Sequence, residues 1–396
     1  MYVQGRNRSE LLAHFPAGTS VQVELGRRRR YPGLAGPAPA THLCYRKFLD
    51  WGINAPRIID MGCGAGIGLR CLLQTKATLT GIDSDGRAIA FARRYVPDAE
   101  FIHADIQSTH ISCSAGAALV VDVLGLVPEP AKLLRSLLRR IGGLGALFVA
   151  EPIVNGQQDL VPPARRAFGV SSLKSLFTRS GFEIDDWATI DDTFLCAIGR
   201  PARDPLGDVL VEAEEAYLAH QTQRFEGLCR ELKRSGRAGL RLEAALLESR
   251  LWFDISEYSR AIAVLTDACI LVPEDPRPWS GLCRLALASG NSEHAIRLAE
   301  RAVKIDSTDF SSVCSSALAH LEADPRRSLE AWKVANALAP DETCIARFLC
   351  SVALAQGRHE EGLVILERAG QYQEHVSPLN EHVGLLALTN AALQVA

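Results

Sequence analysis

Asp60-Met61-Gly62-Cys63-Gly64-Ala65-Gly66 places three alternate glycines directly behind an acid. Glycine reaches left-handed backbone angles at little cost, and a loop of glycines lets a ligand lie against bare main chain. Where such a loop runs into a helix, the first turn offers unpaired N–H groups. The spacing narrows the ligand. A dinucleotide fingerprint needs G-x-G-x-x-G, and its third glycine would fall on Ile67 or on Leu69, according to which glycine starts the count. The pattern present is D-x-G-x-G-x-G. A second acid, Asp83, follows about 20 residues after the glycines, where a carboxylate can accept hydrogen bonds from both hydroxyls of a ribose.

These residues need a strand before the loop and a helix after it. Arg57, Ile58 and Ile59 supply the apolar run, and 67–73 reads as the helix. Thr78 to Asp83 reads as a second strand, 88–95 as a helix, and 100–106 as a third strand that contains Asp105. The runs 117–123 and 146–150 read as fourth and fifth strands, with a helix over 130–141 between them and Glu151 just after the fifth. A helix over 172–180 and a terminal hairpin from 182–190 and 193–198 close the series. Ordered strand–helix alternation implies a doubly wound, mostly parallel sheet with its ligand at the strands' carboxyl ends.

The D-x-G-x-G-x-G loop, Asp83 and Asp105 at these intervals resemble class I S-adenosylmethionine (SAM) dependent methyltransferases, over about residues 40–200. The resemblance implies an α/β fold with a seven-stranded sheet, SAM as cofactor and S-adenosylhomocysteine as product. It implies cofactor contacts from Asp60, Gly62, Cys63, Gly64, Gly66, Asp83, Ser84, Asp105, Ile106 and Asp122. In that family the glycine loop wraps the methionine part, and the acid after the third strand and its neighbour meet the adenine. No metal is implied.

A sulfonium methyl is already activated, so the protein's main work is to hold the acceptor in line and exclude water. A base is needed only if the acceptor must lose a proton. Glu151 at the fifth strand and Tyr31 in the segment ahead of the sheet are the catalytic candidates, with Arg30 beside Tyr31. Val21 to Leu25 alternates like a strand, four arginines follow from Arg27 to Arg30, and 42–51 reads as a helix leading into the sheet. Segments so placed cover the cofactor in the resembled family. Asp122-Val123-Leu124-Gly125 stands where enzymes methylating adenine or glutamine amines carry an Asn/Asp-Pro-Pro-aromatic motif, which lowers those acceptors. His103 reads as a wall residue, and the polar loop over 155–166 as a cover for the acceptor.

The 396 residues suit two or three domains. No apolar run reaches the roughly 18 residues of a membrane span, and the polar N-terminus lacks a signal-peptide core. Eleven cysteines lie scattered with no CxxC pair, which fits small buried hydrophobes in a reducing, cytoplasmic setting. A net charge of −3 gives no general pull toward nucleic acid.

Beyond Val209 the chain reads as helix after helix, and it repeats. Ala261, Ala295, Ser328 and Gly362 recur at steps of 34, 33 and 34 residues, each followed seven residues later by Ala268, Ala302, Ala335 or Ala369. Pro273 and Gly290 recur two periods on as Pro340 and Gly357. Small residues at this spacing let two helices per repeat approach closely. With Trp279 and Leu282 they resemble a tetratricopeptide (TPR) array of about four helix pairs over 239–370, capped by a helix over 377–395. The third repeat lacks the turn glycine and has Glu322-Ala323-Asp324 instead. The helical stretch 208–235 is out of register and reads as a connecting helix.

The expected organisation is a cap segment over 1–40, a methyltransferase domain over 41–200, a linker over 201–238 and an all-α TPR solenoid over 239–396. The TPR resemblance implies a peptide or protein segment on a concave face. The function expected is methyl transfer to a peptide, protein or carrier-bound acceptor recruited there. A small-molecule methyltransferase with the repeats serving assembly or homodimerisation is the alternative, and a non-catalytic scaffold is a third reading.

Overall fold

The computed structural model describes residues 39–107, 115–153, 166–203, 206–340 and 342–370. Arg30, Tyr31, the loop over 155–165 and the expected cap over 377–395 lie outside the described residues. The chain divides into two compact units. One holds the described residues up to Glu151 together with Asp185–Pro201, and the other holds Pro152–Ile184 and the chain from Ala202 onward.

The sheet has seven strands: β1 Arg57–Met61, β2 Thr78–Asp83, β3 Glu100–His103, β4 Ala117–Val121, β5 Ala146–Pro152, β6 Phe182–Ile190 and β7 Phe194–Pro201. Their order is β3-β2-β1-β4-β5-β7-β6, and β3, β2, β1, β4 and β5 run parallel. The three-residue link between β6 and β7 allows only an antiparallel hairpin, so the sheet is mixed. Burial follows position. Every residue of β4 and β5 is buried, as is β1 after Arg57, whereas the edge strands β3 and β6 are largely exposed. Central parallel strands are covered on both faces, which is why they read as unbroken apolar runs.

Helices α1 Pro39–Asp50, α2 Ile67–Leu72, α3 Gly86–Tyr95 and α4 Pro130–Ile141 alternate with the strands. Helix α4 buries Leu133, Leu134, Leu137 and Ile141 at helical spacing, each contributing about 1.5–3 kcal/mol of apolar burial. Helix α1 places Cys44, Tyr45 and Phe48 in the sheet's core. Phe48 and Trp51 both meet Phe148 of β5 edge-on, at 5.6 and 5.7 Å between ring centres. Strand β3 stops at His103, short of the 100–106 run expected. Ala104 donates to the Asp83 carbonyl at 3.0 Å, and the Asp105 carboxylate then accepts the Gln107 N–H at 2.9 Å, which curls the chain out of the sheet.

The second unit is helical: α5 Val170–Arg179, α6 Leu206–Leu218, α7 Thr222–Lys233, α8 Ala238–Asp254, α9 Tyr258–Leu271, α10 Arg277–Ala288, α11 Ser292–Ile305, α12 Phe310–Ala319, α13 Pro325–Leu338, α14 Thr343–Ala355 and α15 His359–Gly370. From α6 onward the connections are three to five residues, so successive helices pack as antiparallel hairpins. Helix α5, expected in the sheet domain, is instead tied to this unit. Its Ser175 hydroxyl donates to Glu243 of α8 at 2.9 Å and accepts from Arg277 of α10 at 2.9 Å, and Arg179 pairs with Glu214 of α6 at 2.6 Å.

The stretch 208–235, expected as one connecting helix, is a helix pair, α6 and α7, with the same turn as later pairs. His220, Ser256, Gly290 and Gly357 all have positive φ, between 54° and 74°. The next N–H in each turn, from Gln221, Glu257, Asn291 and Arg358, donates back to Ala216, Trp252, Ala286 and Ala353 at 2.7–2.9 Å. This six-to-one bond closes a Schellman turn, which needs a left-handed residue at its hinge. The α12–α13 turn lacks it. There Asp324 donates to His320 at 2.8 Å, and its side chain caps α13 through the Arg327 N–H at 3.1 Å.

The hinge conformation costs a side chain more than it costs glycine. Ser256→Gly and His220→Gly, at exposed hinges, should each raise stability by roughly 0.5–1 kcal/mol, while Gly290→Ala should lower it by a similar amount. Urea unfolding of the three variants against wild type checks the sign.

Candidate functional site

Parallel pairing brings the carboxyl ends of β1, β2, β4 and β5 to one edge, with Met61 opposite Ile82 and Val120, and Val121 opposite Ala150. The last residues of β1, β2 and β5 carry Asp60, Asp83 and Glu151, and the loops after β3 and β4 carry Asp105 and Asp122. Lining up acids at one edge is costly unless each is hydrogen-bonded.

Asp60 is fully buried, and its Oδ2 accepts the Tyr45 hydroxyl at 2.9 Å. The glycine loop then folds over β2. The N–H groups of Gly62 and Cys63 both donate to the Ile82 carbonyl, at 2.7 and 3.0 Å, and the Gly66 N–H donates to Cys63 at 3.0 Å. Gly62, Gly64 and Gly66 have φ of 77°, 53° and 77°. At Gly62 the need for glycine is double, since a Cβ there would stand 2.4 Å from Val123 Cγ2.

Asp83 is buried at the end of β2, with the Gly64 N–H on one oxygen and the Asp85 N–H on the other, each at 2.8 Å. It thus fixes the glycine loop and the entry to α3 together. Asp85 caps that helix by accepting from Arg87 and Ala88. Ser84 is exposed, and its carbonyl lies 3.1 Å from His103 Nε2, so His103 braces the loop beside Asp83. Asp105 is exposed and Ile106 half-buried just past β3, on the same edge. Asp122 has a φ of 58°, uncommon for any residue but glycine, and its N–H donates to Ala150 at 2.7 Å.

Glu151, a catalytic candidate from the sequence, lies near the end of β5. It is 2% exposed, and its carboxylate accepts the N–H groups of Val123, Leu124 and Gly125 at 2.8, 2.7 and 3.1 Å. A carboxylate with three main-chain donors anchors the loop after β4. The sequence reading also missed Tyr45. Its signal was present in Gly68, where a Cβ would overlap the Tyr45 ring at 2.0 Å, so the glycine in α2 is what admits the ring to Asp60. Tyr31 lies outside the described residues. Among the described residues no His, Cys, Asp and Glu group is placed to hold a metal ion.

The family model described as "Methyltransferase domain" matches residues 59–149. Over these residues the chain is similar to a methyltransferase domain. Trans-aconitate 2-methyltransferase of Escherichia coli O1:K1 / APEC is 30% identical over 166 residues, which cover 38% of this chain and 65% of that protein. The same enzyme of Escherichia coli O157:H7 is 28% identical over the same length. The chain thus spans 65% of the length of the curated relatives it matches. Among solved structures, the N-methyltransferase NodS of Bradyrhizobium japonicum WM9 with S-adenosyl-L-homocysteine aligns at 16% identity and a TM-score of 0.37, over 46% of this chain and 96% of that one. Magnesium protoporphyrin IX methyltransferase of Synechocystis PCC 6803 with bound SAM aligns at 14% identity and 0.35, over 51% and 100%.

The cofactor of such a domain is SAM, and the methyltransferase edge fits one. Three left-handed glycines leave the loop surface without side chains, and buried Asp83 is positioned by two N–H groups beside it.

An anchoring Glu151 and a catalytic Glu151 predict different losses. Glu151→Gln keeps the shape but sets an amide NH2 among three N–H donors, so stability should fall by about 2–3 kcal/mol. Chemical unfolding of the variant checks this, since a catalytic base would leave stability near wild type. Gly62→Ala should unfold the loop or the domain outright.

Proposed function

We propose that this chain is a SAM-dependent methyltransferase whose acceptor is a peptide, a protein or a carrier-bound group recruited by the helical unit. The observation that carries the reading is the joining of a methyltransferase domain to a helix array outside the family match of 59–149. The helix array is read as TPR-like. Supporting this, Ala261, Ala295, Ser328, Ala268, Ala302 and Ala335, the small residues of the repeat, are all at most 1% exposed. Buried small residues at a period of 33–34 are what close helix–helix crossing requires.

Bound SAM would supply a methyl already activated by its sulfonium. Asp83 would accept the ribose hydroxyls while still holding Gly64 and Asp85. Gly62, Gly64 and Gly66 would lie along the methionine part, and Asp105 and Ile106 beside the adenine. Asp122, at the mouth between β4 and β1, has the place to orient the cofactor or the acceptor. Tyr31 is proposed to close over the acceptor from the N-terminal segment. The chain's own contribution is alignment and exclusion of water, which together supply much of the rate in a bimolecular displacement.

A second reading has a specific observation in its favour. The curated relatives act, by name, on trans-aconitate, a small acid. A small acidic acceptor would leave the helical unit to serve assembly.

Calorimetry with SAM and S-adenosylhomocysteine tests the cofactor site first. Wild type should bind in the micromolar range, and Asp83→Ala should weaken binding at least tenfold, the loss of a pair of charge-assisted hydrogen bonds. A folded wild type that binds neither would return the weight to a scaffold role. Methyl transfer from labelled SAM, to proteins captured by the full chain or to small acids, separates the two acceptors.

A further inference from the structure

A packed helix turns one face to its neighbours and the other to water, and the second face is normally polar. On α11 it is so: His294, Arg297, Glu300, Arg301 and Lys304 are all exposed. On α9, one repeat earlier, the matching positions are Arg260, Ala263, Thr266, Asp267 and Ile270. They are exposed too, while Ala261, Leu265 and Ala268 are buried. Three charges of α11 thus give way to Ala263, Thr266 and Ile270. Ile270 is 75% exposed, and Ile262 on the same side of the helix is 46% exposed. At the start of α9, Tyr258 packs on Phe253 at 5.6 Å between ring centres, and with exposed Ile255 they extend the apolar surface.

Two charges remain on the rim of this face. Arg260 and Asp267 stand seven residues apart, about two turns, so they lie along one side of the helix. Both are exposed, and among the described residues neither takes part in an ion pair. Arg260 is nonetheless held in place. Its guanidinium stacks over Trp252, 4.6 Å from the ring centre. Stacking leaves the N–H edge open to a carboxylate and reduces the side-chain freedom lost when one binds.

We propose that the outer face of α9 is a contact between two copies of this chain, packed antiparallel about a two-fold axis beside Ala263. In a two-fold contact each surface meets itself in reverse. Residues 260 and 267 are equally distant from the midpoint between Ala263 and Val264. Arg260 therefore meets the partner's Asp267, and Asp267 meets the partner's Arg260. A parallel pairing would set like charges together. Ala263 at the axis lets the helices approach closely, Ile262 lies near its own copy, and Ile270 falls against the partner's Tyr258. A second copy fits better than an unrelated protein because one face carries both halves of the ion pair at the spacing that reversal requires. One helix face is smaller than the about 800 Å² per partner of a standard interface, so the dimer forms at micromolar concentration. Nothing in this contact depends on methyl transfer or on which acceptor is used.

Sedimentation velocity on the full chain should show a monomer–dimer equilibrium between about 1 and 100 µM. Ile270→Glu should weaken the dimer about tenfold or more, and Lys304→Glu, at the matching place on α11, should leave it unchanged. Arg260→Asp alone and Asp267→Arg alone should each weaken it about tenfold or more, since each sets like charges against one another twice. Mixed in equal amounts, these two variants should dimerise as wild type does, because every reversed charge then meets its opposite. Urea unfolding near that of wild type separates a lost contact from a lost fold, and the mixture reads the contact even where one variant is less stable. A wild type that is monomeric at about 100 µM, a dimer untouched by Ile270→Glu, or a mixture that stays monomeric overturns the proposal. SAM calorimetry on the same variants should match wild type, so a failed dimer and a failed cofactor site remain distinguishable.

Discussion

The carboxylate of Glu151, holding three successive N–H groups at the end of β5, is the interaction on which the cofactor edge depends. A parallel sheet leaves its loops without ladder partners at the carboxyl ends, and a buried N–H left unpaired costs about 1–3 kcal/mol. The loop after β4 has three such groups. Glu151 satisfies all of them at once and so fixes Val123, whose methyl in turn presses on Gly62. Asp83 does the equivalent for the glycine loop through Gly64, and Tyr45 does it for Asp60. Asp60, Asp83 and Glu151 are held by the chain before any ligand arrives. Pre-positioning of this kind lowers the cost of ordering the site on binding.

Parts of this were legible in the sequence for a physical reason. The glycine alternation marks left-handed backbone, and Gly62, Gly64 and Gly66 all have it. The apolar runs of β4 and β5 mark strands buried on both faces, and they are so buried. The period of small residues marks helix crossings, and Ala261, Ala268, Ala295, Ala302, Ser328 and Ala335 are buried. What escaped notice depends on contacts that sequence spacing does not encode. Glu151 meets residues 26–28 positions away, and Tyr45 meets Asp60 at 15. His220 and Ser256 adopt the same hinge as Gly290, but a left-handed residue without glycine leaves no mark in the sequence. For that reason the pair α6–α7 read as a single connecting helix.

The same limit explains the place of α5. Its sequence, with Leu173, Leu176 and Phe177 buried at helical spacing, predicts a sheet helix as readily as a solenoid helix. What decides is polar. Ser175 sits between Glu243 and Arg277, and a buried ion pair of this kind is stable only when its remaining donors and acceptors are filled. Removing the serine hydroxyl would leave part of that pair unsatisfied, so α5 is held by a requirement of α8 and α10 as much as by its own apolar face.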